Sequence, residues 1–157
     1  MKRILVMADT HGNKSAMASA IEKFGDVDAI IHLGDYVRDA AFLKTLTNKT
    51  IYAVRGNCDI TSRAPSERLI RIGGKKILAV HGHRQGVKIS LLRLGLYALE
   101  KDADIALFGH THKPAEQMFE GVILYNPGSL GEPRGRRPSV GIITIDEAGL
   151  RIKKHKL

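Results

Sequence analysis

Residues 104–113 read DIALFGHTHK, an apolar run that closes on two histidines, His110 and His112. In extended backbone, residues two apart point to one face. Two imidazoles on one face are either a polar cluster at a strand end or half of a metal site. Four other apolar runs close in a similar way. They finish in ADTHG (8–12), LGD (33–35), RGN (55–57) and VHGH (80–83). Of the chain's 7 histidines, His11, His81, His83, His110 and His112 all sit at these ends. Most have a neighbouring glycine that lets the backbone turn. In open α/β sheets, ligands bind outside the carboxyl ends of the strands, so five such ends converging point to a site.

The candidate ligands are Asp9, His11, Asp35, Asn57, His81, His110 and His112. Carboxylate, amide and imidazole donors without a cysteine pair do not make a structural zinc site. They suit divalent transition metals such as Mn, Fe, Co, Ni or catalytic Zn. Seven donors are too many for one ion and natural for two. A central carboxylate can bridge two cations about 3.5–4 Å apart, the separation used for in-line displacement at phosphorus.

Several elements must position these residues. Strand-length runs rich in Ile and Val occur at 4–8, 29–33, 51–54, 77–80 and 105–108, then at 121–125 and 140–145. Asn13 can cap a helix whose apolar residues fall at Met17, Ala20, Ile21 and Phe24. Residues 37–46 form a second helix candidate, and Ile89, Leu92, Leu96 and Leu99 repeat at helical spacing. Gly73-Gly74 and the EAG around Ala148 read as hairpin turns. Strand and helix alternate in the first two thirds, and the last third reads as a β meander. An α/β domain with a mixed sheet follows. Continuous apolar strands imply burial on both faces, and therefore two packed sheets with helices outside.

Composition bounds the remaining classes. A chain of 157 residues, with no linker or repeat, predicts one domain over 1–157 ending in a basic tail at 151–157. No run of 18 apolar residues is present, so no membrane-spanning segment is expected. The apolar stretch 4–8 ends in Asp9 and is too short for a signal-peptide core. A single cysteine, Cys58, suits a reducing compartment, and the expected location is cytoplasmic. The net charge of +9 gathers at 68–76, 133–138 and 151–157. With no Trp and few aromatics, these clusters do not resemble a base-stacking surface. They read instead as solvated basic faces, and an anionic small substrate would be served equally well.

The ordered motifs DTHG (9–12), GD (34–35), GN (56–57), HGH (81–83) and GHTH (109–112) resemble those of the calcineurin-like metallophosphoesterase superfamily. The short length, GNCD (56–59) and NPGS (126–129) are similar to its small stand-alone bacterial and archaeal phosphodiesterases. The resemblance runs over residues 1–146. It implies a two-sheet αββα sandwich with helices on the outer faces and the metal site at the C-terminal strand ends. It also implies two divalent metal ions per chain, with Mn the first expectation and Ni, Fe, Co or Zn the alternatives. By that resemblance Asp9, His11 and His112 would hold one ion, Asn57, His81 and His110 the other, and Asp35 would bridge both. A metal-bridging hydroxide at the Asp35 site would attack phosphorus, with no protein nucleophile.

The expected activity is a metal-dependent phosphodiesterase acting on a small phosphodiester or nucleotide-like substrate, in a chain that can form a homodimer. Many superfamily members carry histidine after the GN asparagine, whereas this chain and the small branch carry Cys58. A thiol with a pKa of about 8.5 is a poor acid for a leaving group at neutral pH, which favours diesters with good leaving groups. His83, Cys58 and Asp59 are candidate contacts of the substrate or of the ligands, with inert packing the alternative for Cys58. Asp59 either orients the Asn57 loop or caps a turn. Asn57, Asn126 and Arg134 are candidate substrate contacts, although Asn126 in NPGS first suits a turn. His32 reads as a packed strand residue and His155 as a solvated one. Two other functions share these residues: a non-catalytic protein-interaction scaffold of the same fold, and a nuclease on polymeric nucleic acid, which is less favoured because the chain has no extra domain to hold a strand.

Overall fold

The computed structural model describes all residues, 1–157. Three strands and two helices come first: β1 (Lys2–Met7), α1 (Lys14–Phe24), β2 (Ala29–His32), α2 (Asp39–Leu46) and β3 (Thr50–Ala53). Next are β4 (Glu67–Ile72), β5 (Lys75–Val80), α3 (Leu92–Glu100) and β6 (Ile105–Leu107). The chain ends with β7 (Ala115–Phe119), β8 (Val122–Asn126), β9 (Ser139–Asp146) and β10 (Gly149–Lys156). Two five-stranded mixed sheets result, ordered β10-β9-β1-β2-β3 and β4-β5-β6-β8-β7. In the first sheet β1, β2 and β3 run parallel; in the second β5, β6 and β8 do.

Side-chain alternation along the strands builds a four-layer sandwich. On β1, Ile4 and Val6 enter a cluster between the sheets with Ile31, Ile77, Ile105 and Ile143. Leu5 and Met7, on the opposite face, meet Met17 and Ala20 of α1 and Leu43 of α2. On β5, Leu78 and Val80 pack outward against Leu94 and Ala98 of α3. Each large aliphatic side chain so buried contributes roughly 1.5–3 kcal/mol. The expected sandwich, with helices outermost, is the architecture observed.

Asn13 caps α1 as its position suggested, its side-chain oxygen accepting the Ala16 N–H at 3.0 Å. The third helix differs from its sequence pattern. It starts at Leu92, and the ridge of Ile89, Leu92, Leu96 and Leu99 lies on the outside, 94, 54, 54 and 40% exposed. Its buried face is Leu94, Gly95 and Ala98. Gly95 decides this, because a Cβ there would lie 2.5 Å from the Phe119 ring. The helix therefore approaches β7 through its smallest residue.

Two strands lay outside the sequence reading. β4 occupies most of the basic stretch 68–76 and forms a hairpin with β5 through Gly73-Gly74, both at positive φ. β7 pairs antiparallel with β8 at the sheet edge, where polar residues are tolerated. The basic tail is also corrected: residues 151–156 belong to β10, which pairs with β9 along its whole length. Ile152 reaches the inter-sheet cluster, and His155 stacks on Phe24 with ring centroids 4.7 Å apart rather than being solvated.

Candidate metal centre

All seven candidate ligands lie at the C-terminal ends of β1, β2, β3, β5 and β6, where the two sheets meet. Two groups of donor atoms form there, each within 4.8 Å: Asp9, His11, Asp35 and His112, and Asp35, His81 and His110. Asp35 belongs to both. Asn57 joins the second group, its Oδ1 lying 3.0 Å from His81 Nε2.

The backbone at these positions is unusual. Asp9, His11, Asp35, His110 and His112 have φ of 51, 45, 51, 69 and 60°. Left-handed backbone in non-glycine residues costs on the order of 1–3 kcal/mol each and persists where surrounding contacts over-determine it. Those contacts are present. His110 N–H donates to Asp9 Oδ2 at 3.1 Å, and Cys58 N–H donates to Asp35 Oδ1 at 3.0 Å. Ser129 Oγ donates to the Asp9 carbonyl at 2.9 Å. Gly56 and Gly109 allow the close approach, since a Cβ on either would press into Asp35 Oδ1 at 2.2 Å or Asp9 Oδ2 at 2.9 Å.

The imidazoles are oriented for coordination. His81 Nδ1 donates to the Leu33 carbonyl and His112 Nδ1 to the Glu132 carbonyl, both at 2.7 Å. That places a proton on each outer nitrogen and turns each Nε2 toward the carboxylates. His81 Nε2 stands 3.4 Å from Asp35 Oδ1, and His112 Nε2 stands 3.5 Å from Asp9 Oδ1. Asp9 Oδ1 and His11 Nε2 are buried without any hydrogen-bond partner. Buried polar atoms are rarely left so, and cations between the two carboxylates would satisfy both. The donor set therefore fits divalent metal.

The electrostatics agree. Burial pushes the Asp9 carboxyl up to about 7, helped by Asp35 and opposed by His81. Burial raises Asp35 too, but the imidazole of His81 and the N–H of Cys58 outweigh it and hold that carboxyl well below the usual range. Burial also pushes His110 down to about 4, with the charges of His81 and Lys88 adding to the effect. A histidine kept neutral offers a lone pair.

The remaining expected residues separate into distinct places. His83 is half-buried, its ring 5.4 Å from His81 and its Nδ1 unpartnered. Asp59 closes the Asn57 loop onto the segment before α2: Oδ1 accepts Val37 N–H at 2.9 Å and Oδ2 accepts Gly56 N–H at 2.8 Å. Cys58 is exposed. The carboxylates around it and partial burial push its thiol up to about 11, burial being the larger cause. Arg134 is exposed, and its charge helps lower His112.

Asn126 departs from its expected substrate contact. It is 0% exposed, and its amide donates to Gly109 O at 3.1 Å and Thr111 Oγ1 at 3.0 Å, beneath the loop that carries His110 and His112. Two residues escaped the sequence reading. Thr10 Oγ1 contacts His32 Nε2 at 2.9 Å and donates to Asp39 Oδ2 at 2.5 Å, and Asp39 Oδ2 also accepts Gly12 N–H at 2.8 Å. This buried chain holds the DTHG turn from behind. The only signal in the sequence was Asp39 within an otherwise apolar helix start.

Comparison with known proteins bears on the same residues. The pattern described as "Calcineurin-like phosphoesterase superfamily domain" matches residues 1–148. "Probable metallophosphoesterase YsnB" of Bacillus subtilis is 32% identical over 152 residues, covering 96% of this chain and 88% of that protein. "Phosphodiesterase MJ0936" of Methanocaldococcus jannaschii is 29% identical, covering 95% and 96%. "Vacuolar protein sorting-associated protein 29" of Schizosaccharomyces pombe is 36% identical, covering 92% and 78%. The crystal structure of a predicted phosphoesterase from Streptococcus pneumoniae superposes with a TM-score of 0.85 at 30% identity, over 99% of this chain and 89% of that one. Strand ends carrying candidate ligands, two-sheet sandwich and sequence similarity along nearly the whole length all agree, and the chain belongs to the calcineurin-like phosphoesterase superfamily.

Proposed function

We propose that this protein is a metal-dependent phosphodiesterase with a dinuclear divalent centre, manganese being the first candidate, acting on a small phosphodiester or nucleotide-like substrate. The observation that carries this reading is Asp35, the one carboxylate common to both donor groups. Two divalent cations held there would neutralise charge building on the phosphoryl oxygens and make water available as a nucleophile near neutral pH.

The chain's own residues supply the rest. Asp9, His11 and His112 would hold one cation, Asn57, His81 and His110 the other, each from a fixed orientation. Asn57 adds an oxygen donor without adding negative charge, so the site stays attractive to a phosphate ester. His83 sits beside His81 and His110, ring centroids 5.4 and 6.1 Å away, and its exposed side would meet a phosphoryl oxygen. A cavity of about 750 Å³ opens next to His11 and is lined by Tyr36, Arg38, Cys58, Thr61 and Ser62. It leaves room for one ester arm. The Cys58 thiol, pushed up to about 11, is a weak proton donor. Leaving groups that depart without strong acid assistance are therefore favoured, which points to diesters of acidic alcohols.

A second reading is a protein-interaction scaffold, suggested by the fission-yeast sorting protein among the relatives. Both donor groups are complete here, which favours catalysis. A single domain over 1–157 acting in a reducing, cytoplasmic setting accords with the free thiol of Cys58.

Hydrolysis of an aryl phosphodiester and the matching monoester, by metal-stripped protein given Mn²⁺ or Ni²⁺, tests the proposal. The expected result is metal-dependent turnover favouring the diester and lost in Asn57→Ala. No turnover of either ester with metal demonstrably bound would overturn it.

A further inference from the structure

Seven cations on the surface around the metal centre make no ion pair. Most other Lys and Arg side chains are unpaired as well, apart from a few such as Lys2 with Asp28, Lys75 with Asp104 and Arg151 with Asp146, and what sets these seven apart is their clustering. Lys88, Lys113, Arg134, Arg136, Arg137, Lys154 and Lys156 have no carboxylate within 4.0 Å, and they gather in two adjoining recesses. The first, about 520 Å³, is lined by Lys88, Thr111, Lys113 and Arg134 together with Phe108 and Pro114. The second, about 180 Å³, is lined by Pro114, Arg136, Arg137, Ser139, Lys154 and Lys156 and has no hydrophobic residue. Pro114 is common to both, and neither is lined by an acidic residue.

The fold assembles these recesses from segments remote in sequence. Lys154 and Lys156 are two apart on β10 and so share a face, and Lys156 pairs with Ser139 at the start of β9. Leu157 N–H donates to the Pro138 carbonyl at 3.0 Å, tying the chain end to the 133–138 loop that carries the arginines. At the other end the cations reach the metal centre. Thr111, which lies between the candidate ligands His110 and His112, lines the first recess beside Lys88 and Arg134. Glu132, the nearest acidic neighbour in the loop, turns instead toward His11 Nδ1, at 3.9 Å.

Four like charges around a small polar recess repel one another and gain only from an anion. Arginine pairs favour the bidentate geometry of phosphate. No aromatic residue lines the second recess, so bases are not read there.

We infer that these recesses form a phosphate track, in which a ligand carrying several phosphates in a chain places one at the metal centre and others against Lys88, Lys113 and Arg134 and then Arg136, Arg137, Lys154 and Lys156. The ligand class is a phosphate chain, either the backbone of a short single-stranded oligonucleotide or a linear polyphosphate. The inference takes the place of the scissile phosphate from the function proposed above, whereas the distal recess stands on its own charges.

Fluorescence anisotropy of a labelled oligothymidylate of about 12 nucleotides, with the full chain and Mn²⁺, tests the track. The comparison is with a variant carrying Arg136→Ala, Arg137→Ala, Lys154→Ala and Lys156→Ala, alongside turnover of a small aryl diester. Each phosphate contact on a single strand contributes about 0.7 to the slope of log affinity against log salt, so the variant should lose about 2–3 from that slope and bind at least ~10-fold more weakly at low salt. Its turnover of the small diester should be unchanged. Competition by tripolyphosphate as effective as by unlabelled oligonucleotide identifies polyphosphate as the ligand, and competition by oligonucleotide alone identifies the strand. Equal affinity and slope in both proteins would overturn the track while leaving the diesterase reading intact. Absent diester turnover with strand binding lost in the variant would overturn the diesterase reading and keep the distal recess.

Discussion

Asn126 at the end of β8 donates its side-chain amide to the carbonyl of Gly109, 3.1 Å away in the loop between β6 and the paired histidines. The same amide reaches Thr111 Oγ1, and Asn126 Oδ1 accepts the N–H of Gly128 at 2.9 Å. One buried side chain thus fixes both the loop that presents His110 and His112 and the turn that follows β8. Asn126→Ala would leave the buried Gly128 N–H without a partner and would take one of two hydrogen bonds from the Gly109 carbonyl, which keeps that of Thr111 N–H. The expected outcome is a stability loss of about 1–3 kcal/mol in urea denaturation together with weaker divalent metal binding by calorimetry. Unchanged metal affinity would show that the loop holds its shape without the amide.

Asp35 is shared by the two donor groups, whereas His11 belongs to one alone. Metal content by mass spectrometry should therefore fall for both ions in Asp35→Ala and for one ion in His11→Ala. Loss of a single ion in the Asp35 variant would contradict a bridging carboxylate.

His32 is fully buried and neutral, its pKa pushed down to about 4, chiefly by burial. Its Nδ1 accepts Gly34 N–H at 3.2 Å, so Nε2–H faces Thr10 Oγ1. In the unfolded chain the same ring titrates near 6.5. The unfolded state then binds more protons between those values, so the contribution is present above pH 6.5 and lost as pH falls toward 4. The full loss is on the order of 3 kcal/mol. The urea midpoint of the wild type relative to that of His32→Gln should fall over that window. Asp9, which works in the opposite direction, is common to both proteins. Parallel pH profiles would rule out this role for His32.

Cys58 is exposed, yet its thiol is pushed up to about 11. Metal-free protein at pH 8 should accordingly react with iodoacetamide about 100-fold more slowly than an ordinary free thiol, because only the thiolate attacks. Alkylation at the rate of glutathione would show that the neighbouring carboxylates do not bear on the sulfur.

The candidate ligand set was legible in the sequence because its signal is local: a polar, metal-competent residue beside a glycine at the end of an apolar run, repeated five times in order. Asn13 as a helix cap and Gly73-Gly74 as a hairpin were legible for the same reason, since each acts on residues two or three away. Readings that depended on which face met which neighbour were not. The stripe of Leu92, Leu96 and Leu99 has helical spacing, but the buried side of α3 was chosen by Gly95 against Phe119, a residue from another strand. The segment 151–156 looked like a solvated tail because its charges alternate with few apolar residues, and only pairing with β9 makes it a strand.

Sequence alone therefore determined the chemistry available, carboxylate, amide and imidazole with a thiol in place of one further imidazole, and the α/β class that places it at strand ends. Tertiary structure decided the geometry. The left-handed backbone at Asp9, His11, Asp35, His110 and His112 is unfavourable locally, and although Asp and His tolerate it better than most residues, their type alone does not impose it. It exists because Asn126, Ser129, Asp59 and the Thr10–Asp39 pair hold it from elements far away in the chain. Likewise Arg136 and Arg137 lie 17 or more positions from Lys154 and Lys156, and only β9–β10 pairing gathers them around one recess. Periodicity and motif order act over a few residues, whereas strain and charge assembly are properties of the packed whole.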